Sequence, residues 1–200
     1  MIAVQLVHSV EVRRSLASSM SAHSPAQSKS DPFEAARRIR LICLDVDGVL
    51  TDGGLWIDDR GREFKRFDVR DGLGIRRWIE AGGEIAAVTG RPGAAVRHRL
   101  RELGVDRLAT SSGDKVPAVE AVLAELGLEW SQVAMIGDDV PDLPVFARCG
   151  LSIAVADATP PVLAAATWTT TRPGGRGAVR EAIERLLEAQ HLRPGPTEAG

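Results

Sequence analysis

Leu41-Ile42-Cys43-Leu44-Asp45-Val46-Asp47-Gly48-Val49 is the stretch that decides how this chain folds. Four apolar residues stop abruptly at two acids, which reads as a buried strand delivering carboxylates to its C-terminal edge. Open α/β sheets bind their ligands at that edge. A carboxylate attacks phosphorus only when the negative charge of the phosphate is neutralised. One acid as metal-bound nucleophile and a second as proton shuttle therefore make a workable phosphoryl-transfer pair. The competing reading is a strand that ends in a solvated acidic turn, with Gly48 as punctuation.

Working outward, three more short apolar runs read as strands, over 84–88, 133–136 and 151–156. Helical stretches around 75–81, 94–103, 117–126 and 143–147 separate them, which is the βαβ alternation of a Rossmann-like parallel sheet with helices on both faces. Trp168 with Thr169, Thr170 and Thr171 reads as an edge strand. Each strand ends in polar residues: Asp45 and Asp47, then Thr89-Gly90-Arg91, then Gly137-Asp138-Asp139, then Asp157. Groups gathered at several C-terminal strand ends converge on one crevice.

Within that crevice Thr89 supplies a hydroxyl, Gly90 permits close backbone approach, and Arg91 offers a planar fork for phosphate or carboxylate. Lys115 stands just before a helix opened by Val116 and Pro117, so its ammonium is either beside a bound anion or solvated. Asp138 and Asp139 add oxygens suited to Mg²⁺, which typically takes one or two carboxylates together with substrate phosphate. Asp139 reads equally well as a cap for the turn before Leu143.

Two hundred residues with 44% hydrophobic content fit one domain with a modest tail. A net charge of −2 and 4% aromatic residues, with no tyrosine, argue against nucleic-acid binding, so the expected partner is a small molecule. Cys43 and Cys149 lack any Cys-x-x-Cys spacing and read as reduced core cysteines of a cytoplasmic protein. No apolar run approaches the roughly 20 residues that span a bilayer, so no membrane role is expected. Residues 1–30 are expected to form a disordered extension, 34–191 the folded domain and 192–200 a flexible tail, with Asp31 capping a first short helix. His8, His23, His98 and His191 do not cluster in sequence, and this chemistry does not need them.

In order and spacing, Asp45-x-Asp47-Gly48-Val49, Thr89, Lys115 and Gly137-Asp138-Asp139 resemble the four signature motifs of the haloacid dehalogenase-like phosphatases. Longer stretches at 44–53, 67–75, 137–145 and 174–181 narrow the resemblance to the branch that acts on eight-carbon sugar-acid 8-phosphates in lipopolysaccharide synthesis. The resemblance implies Asp45 as nucleophile and Asp47 as general acid and base. Mg²⁺ would be held by Asp45, Asp138 and the backbone carbonyl of Asp47, and Thr89 and Lys115 would hold the phosphoryl oxygens. A phosphatase of nine-carbon sialic-type 9-phosphates shares nearly every motif, and a non-catalytic assembly domain is the rival of a different class. A β-phosphomutase also carries Asp-x-Asp-Gly-Val, but generally needs a cap to retain its intermediate.

The intervals from Asp47 to Thr89 and from Thr89 to Lys115 are too short for a separate cap domain, so a capless phosphatase is expected. Leu55-Trp56-Ile57, turning into Glu63-Phe64-Lys65-Arg66-Phe67, reads as a protruding β-hairpin more apolar than an exposed flap requires. In the resembled family such a hairpin builds a homotetramer whose subunits help enclose each site. A substrate with a carboxylate beyond its phosphate suits the planar forks of Arg70, Arg91 and Arg176. Arg176 lies in the glycine-rich segment 173–177, expected to be flexible enough to fold over a site, its own or a neighbour's.

Overall fold

The computed structural model describes residues 32–191, so the expectations for residues 1–30, for Asp31 and for 192–200 lie outside the described residues. Helix α1 (Pro32–Arg38) leads into the first strand, β1 (Leu41–Leu44), whose four residues are all buried. A wide turn follows at Val46–Leu50, interrupted by non-helical backbone at Asp47 and Gly48. Then come the hairpin strands β2 (Trp56–Ile57) and β3 (Glu63–Phe64), helix α2 (Val69–Glu80) and strand β4 (Glu84–Thr89). Continuing, α3 (Ala94–Leu103), β5 (Arg107–Thr110), α4 (Val116–Leu126), β6 (Val133–Gly137), α5 (Leu143–Phe146), β7 (Leu151–Ala154), α6 (Pro160–Ala165), β8 (Trp168–Thr169) and α7 (Ala178–His191) complete the chain.

Six strands pair in parallel in the order β5-β4-β1-β6-β7-β8. The chain winds outward from β1 to β4 and β5, then crosses back to β6. The topological switch point therefore lies at β1, between β4 and β6. Helix α2 packs on α3 and α7, and α7 on α1, while α4 packs on α5 and α5 on α6, so both faces of the sheet are covered. Strands buried on both faces read as continuous apolar runs rather than alternating ones. That is why β1, β4, β6 and β7 were legible.

Strand β5 escaped the sequence reading. Arg107-Leu108-Ala109-Thr110 is an edge strand, mostly half-buried, with no apolar run to mark it. The strand expected over 151–156 ends at Ala154, because beyond it the chain turns at Ala156 and Asp157. Helix α7 was not expected either, although its buried Val179, Ala182, Ile183 and Leu186 recur at helical spacing.

The hairpin forms, but only Trp56–Phe64 and Ile57–Glu63 pair. Leu55, Trp56, Ile57 and Phe64 are all at least half exposed, whereas Phe67, which the sequence counts with them as apolar contact area, packs against the core. The chain has already turned towards α2 at that point, where Asp68 accepts the backbone N–H of Arg70 as the helix cap.

Helix α2 also anchors the end of the domain. Asp71 is buried, and its two oxygens accept the N–H groups of Gly177 at 3.1 Å and Arg180 at 2.9 Å, so it caps the start of α7 from a neighbouring helix. Asp71→Ala leaves two N–H groups without partners and should cost about 1–2 kcal/mol. Urea unfolding should show a lowered midpoint with an unchanged slope; a midpoint equal to that of the wild type would remove the cap from the account.

Candidate active site

The site grows from the end of β1. The backbone N–H of Asp45 still bonds to Ile136 O on β6 at 3.1 Å, which fixes where its side chain emerges. One step on, the wide turn brings Gly48 to φ 95, where a Cβ would also stand 2.0 Å from Asp138 Oδ2. Glycine is thus required twice, for its left-handed backbone and for the close approach of Asp138. The solvated-turn reading of the motif is set aside, since Val46, Val49 and Leu50 are buried.

Asp45, Asp138 and Asp142 bring one carboxylate oxygen each to within 4.8 Å of one another. Lys115 enters from the start of α4 and pairs with Asp45 Oδ1 at 2.8 Å and Asp142 Oδ1 at 2.6 Å. It is 5% exposed, which removes the solvated alternative for this lysine. Burial disfavours its charge, but Asp45 and Asp142 outweigh that and hold its pKa above the usual ammonium range. Burial likewise pushes the Asp45 carboxyl up, against the pull of Lys115. Asp138 is pushed up to about 8 by burial and by Asp45 and Asp142. Its Oδ1 is buried with no hydrogen-bond partner. An all-oxygen donor set with excess negative charge and an orphaned acceptor fits a hard divalent cation.

Asp142 was missed in the sequence, where Asp139 was weighed in its place. Asp142 is fully buried and accepts the backbone N–H groups of Asp138 at 3.0 Å and Asp139 at 3.4 Å. Asp139 instead caps the turn before α5 through Val140 N–H at 2.8 Å and is exposed. The available signal was that Asp142 opens a helix at the end of Asp138-Asp139-Val140-Pro141-Asp142, so its side chain folds back over the turn.

Thr89 closes β4 and is buried, its Oγ1 accepting Arg91 N–H at 3.0 Å. Asp47 is not part of the carboxylate cluster. Its Oδ1 is hydrogen-bonded by Lys65, and Arg91 Nε stands 3.9 Å from its Oδ2. Arg91 also binds Glu63 at 2.8 Å. Arg70 makes a two-pronged pair with Asp68, at 3.0 and 2.7 Å, and lowers that carboxyl to about 2. Arg176 is half exposed with its guanidinium 3.8 Å from Asp52, and its backbone carbonyl accepts from Arg70 at 3.1 Å.

The glycine-rich segment is packed down rather than loose. Gly174 N–H donates to Asp157 at 2.8 Å, Gly175 N–H to Val49 O at 2.8 Å, and Gly175 O accepts from Arg66 at 2.9 Å. A Cβ on Gly174 would fall 1.7 Å from Gly48 O, so backbone meets backbone at the turn after β1. The segment therefore walls its own subunit's turn, and Asp157 serves that loop rather than the crevice.

Fold, motif order and carboxylate cluster define a haloacid dehalogenase-like hydrolase, and the family model of that description matches residues 107–183. The 3-deoxy-D-manno-octulosonate 8-phosphate phosphatase of Yersinia pestis is 44% identical over 167 residues, which cover 84% of this chain and 89% of that protein. Its crystal structure superposes with a TM-score of 0.79 over 81% of this chain and 88% of that one. The Moraxella catarrhalis enzyme of the same name, crystallised with magnesium ion, phosphate ion and KDO, is 39% identical with a TM-score of 0.78, covering 80% and 92% of the two chains. The cobalt-bound Haemophilus influenzae phosphatase is 40% identical with a TM-score of 0.76, covering 78% and 92%. The chain belongs to the family of 3-deoxy-D-manno-octulosonate 8-phosphate phosphatases.

The raised Asp138 pKa has a consequence for stability. The unfolded chain loses this proton near the ordinary carboxylate value of 3.8, the folded chain only near 8. Between those values the unfolded state binds fewer protons, so the metal-free protein should lose stability as pH rises. A divalent cation displaces the proton, so its stabilising effect should grow over the same window. Thermal melts between pH 5 and 8, in chelator and in excess Mg²⁺, should diverge as pH rises; a constant gap would contradict the assignment of Asp138 to the cation.

Proposed function

We propose that this protein hydrolyses 3-deoxy-D-manno-octulosonate 8-phosphate to the free sugar acid and inorganic phosphate, as a Mg²⁺-dependent phosphoric monoester hydrolase in lipopolysaccharide sugar synthesis. The observation that carries the chemistry is the Asp45–Lys115–Asp142–Asp138 cluster at the switch point, with Asp47 beside it and outside it. The substrate follows from the family, whose named members act on this sugar acid phosphate.

Asp45, Asp138 and the backbone carbonyl of Asp47 would hold the Mg²⁺, which would supply positive charge against the phosphate. Thr89 Oγ1 and Lys115 bind phosphoryl oxygens, and Lys115 keeps the Asp45 carboxylate in line. An Asp45 oxygen attacks phosphorus as the bond to the sugar oxygen breaks, and protonated Asp47 gives its proton to that oxygen. The sugar acid leaves and an aspartyl phosphate remains on Asp45. Asp47, now ionised, takes a proton from water, whose oxygen bonds to phosphorus while the Asp45–phosphorus bond breaks. Phosphate departs with both carboxyl groups as they began. Arg91, nearest Asp47, and the half-exposed Arg176 recognise the carboxylate and hydroxyls of the sugar, and Arg70, held by Asp68, contributes only through the guanidinium N–H groups that this pair leaves over.

The experiment is phosphate release from a panel of eight- and nine-carbon sugar acid phosphates. The eight-carbon substrate should give the highest kcat/KM, and Asp45→Asn should abolish turnover on it with the fold intact by circular dichroism. Chelation should silence the wild type and Mg²⁺ restore it. A preference for nine-carbon 9-phosphates would overturn the substrate, and activity in Asp45→Asn the covalent mechanism.

The assembly proposed is a homotetramer in the cytoplasm. Two free cysteines suit a reducing compartment, and among the described residues no helix is long and apolar enough to cross a membrane. Trp56 is 65% exposed, Ile57 61% and Phe64 54%, with Val69 and Leu73 also exposed nearby in sequence, an apolar surface that a second subunit would bury. Light scattering should give four times the chain mass at micromolar concentration. Replacing Trp56 and Phe64 with serine should lower it; undiminished assembly would move the interface elsewhere.

A further inference from the structure

Lys65 is a covered cation to which the mechanism above assigns no part. Extended chain sends successive side chains to opposite faces. Phe64 therefore points outward, while Glu63 and Lys65 share the inner face, and the side chain of Lys65 is only 1% exposed. The hairpin thus presents one ammonium inward, and it meets Asp47. Lys65 hydrogen-bonds Asp47 Oδ1 and pairs with Glu63 Oε1 at 2.8 Å. Glu63 Oε2 accepts Arg91 Nη2 at 2.8 Å, and Arg91 Nε returns to within 3.9 Å of Asp47 Oδ2. Two acids and two bases close a ring at the mouth of the site, with the direct hydrogen bond to Asp47 coming from Lys65.

A general acid must present one particular oxygen to the leaving group. A carboxyl on a turn, in a site with no cap domain to press on it, has rotational freedom to lose before it can do so. Holding Oδ1 removes that freedom and leaves Oδ2 as the proton-carrying oxygen. It also keeps Asp47 apart from the carboxylate cluster. We propose that Lys65 is a positioning residue that orients Asp47 for proton transfer to the leaving sugar oxygen, with Glu63 holding Lys65 in turn. This rests on the assignment of Asp47 as general acid.

Leaving-group acidity separates this role from the others a lysine can play. p-Nitrophenolate departs with little protonation, whereas phenolate and sugar alkoxides need the acid. In a series of substituted phenyl phosphates, Lys65→Met should lower kcat/KM for phenyl phosphate on the order of tenfold, a part of the 10²–10⁴-fold that general acids contribute, and that for p-nitrophenyl phosphate several-fold less. Asp47→Asn should steepen the same dependence, and adding Lys65→Met to it should cost little more. Glu63→Gln, which keeps Lys65 in place, should steepen it less and serves if Lys65→Met does not fold. Equal losses across the series in Lys65→Met would make Lys65 a phosphate ligand or a fold element. Loss confined to the sugar acid phosphate would make it a sugar contact. Either result overturns the proposal. A uniform loss in Asp47→Asn would instead strike the general-acid reading itself, and the positioning role with it.

Discussion

One ammonium buried among three carboxylates is the interaction on which this site depends. Asp45 ends β1, Asp138 follows β6 and Asp142 opens α5, and without a cation between them their charges would drive these elements apart. Lys115 meets two of the three, and it does so from the first turn of α4, where the helix dipole disfavours a positive charge. The local cost is offset in part by Asp114, whose side chain accepts the N–H of Val116 at 2.9 Å and takes over the capping role. The remaining excess of negative charge is what a divalent cation and a phosphate together would balance.

Among the described residues no cap domain covers that cluster, and this shapes everything around it. Two segments that could otherwise be free are tied to the turn after β1. The glycine-rich loop is held by Asp157, Val49 and Arg66, with backbone against backbone where any side chain would collide. The hairpin has only two paired residues on each strand, which is little to hold it by itself, but Lys65 fastens its inner face to Asp47. Its outer face keeps Trp56 and Phe64 in solvent within one chain. Polar ties inward and apolar surface outward are what the proposed assembly would require.

The parts of the site legible in the sequence were those marked by an abrupt change of polarity. Asp45, Asp47, Thr89 and Asp138 each follow an apolar run, because a strand buried on both faces cannot carry charge until it leaves the sheet. Strand β5 carries no such contrast. Asp142 lies five residues beyond the strand end, past a capping acid that satisfies the same description. Lys65 stood among the alternating polar residues of a hairpin, and alternation says which face a residue takes without saying what that face meets. Arg70, whose planar fork suited a substrate carboxylate, is engaged by Asp68 two residues earlier, a local pairing that spacing permitted but did not require.

Sequence by itself determined the parallel α/β sheet, the acids at its C-terminal edge, the lack of room for a cap and the resemblance to a phosphatase family. Each of these rests on local pattern, on interval or on motif order, which are properties of a chain before it folds. Tertiary structure alone decided that Lys115 sits between Asp45 and Asp142, that the glycine-rich segment is a wall, and that Lys65 reaches Asp47 across 18 residues. Those contacts join elements distant in sequence, and hydrogen bonds and ion pairs form only at distances that packing of the whole sheet and its helices sets.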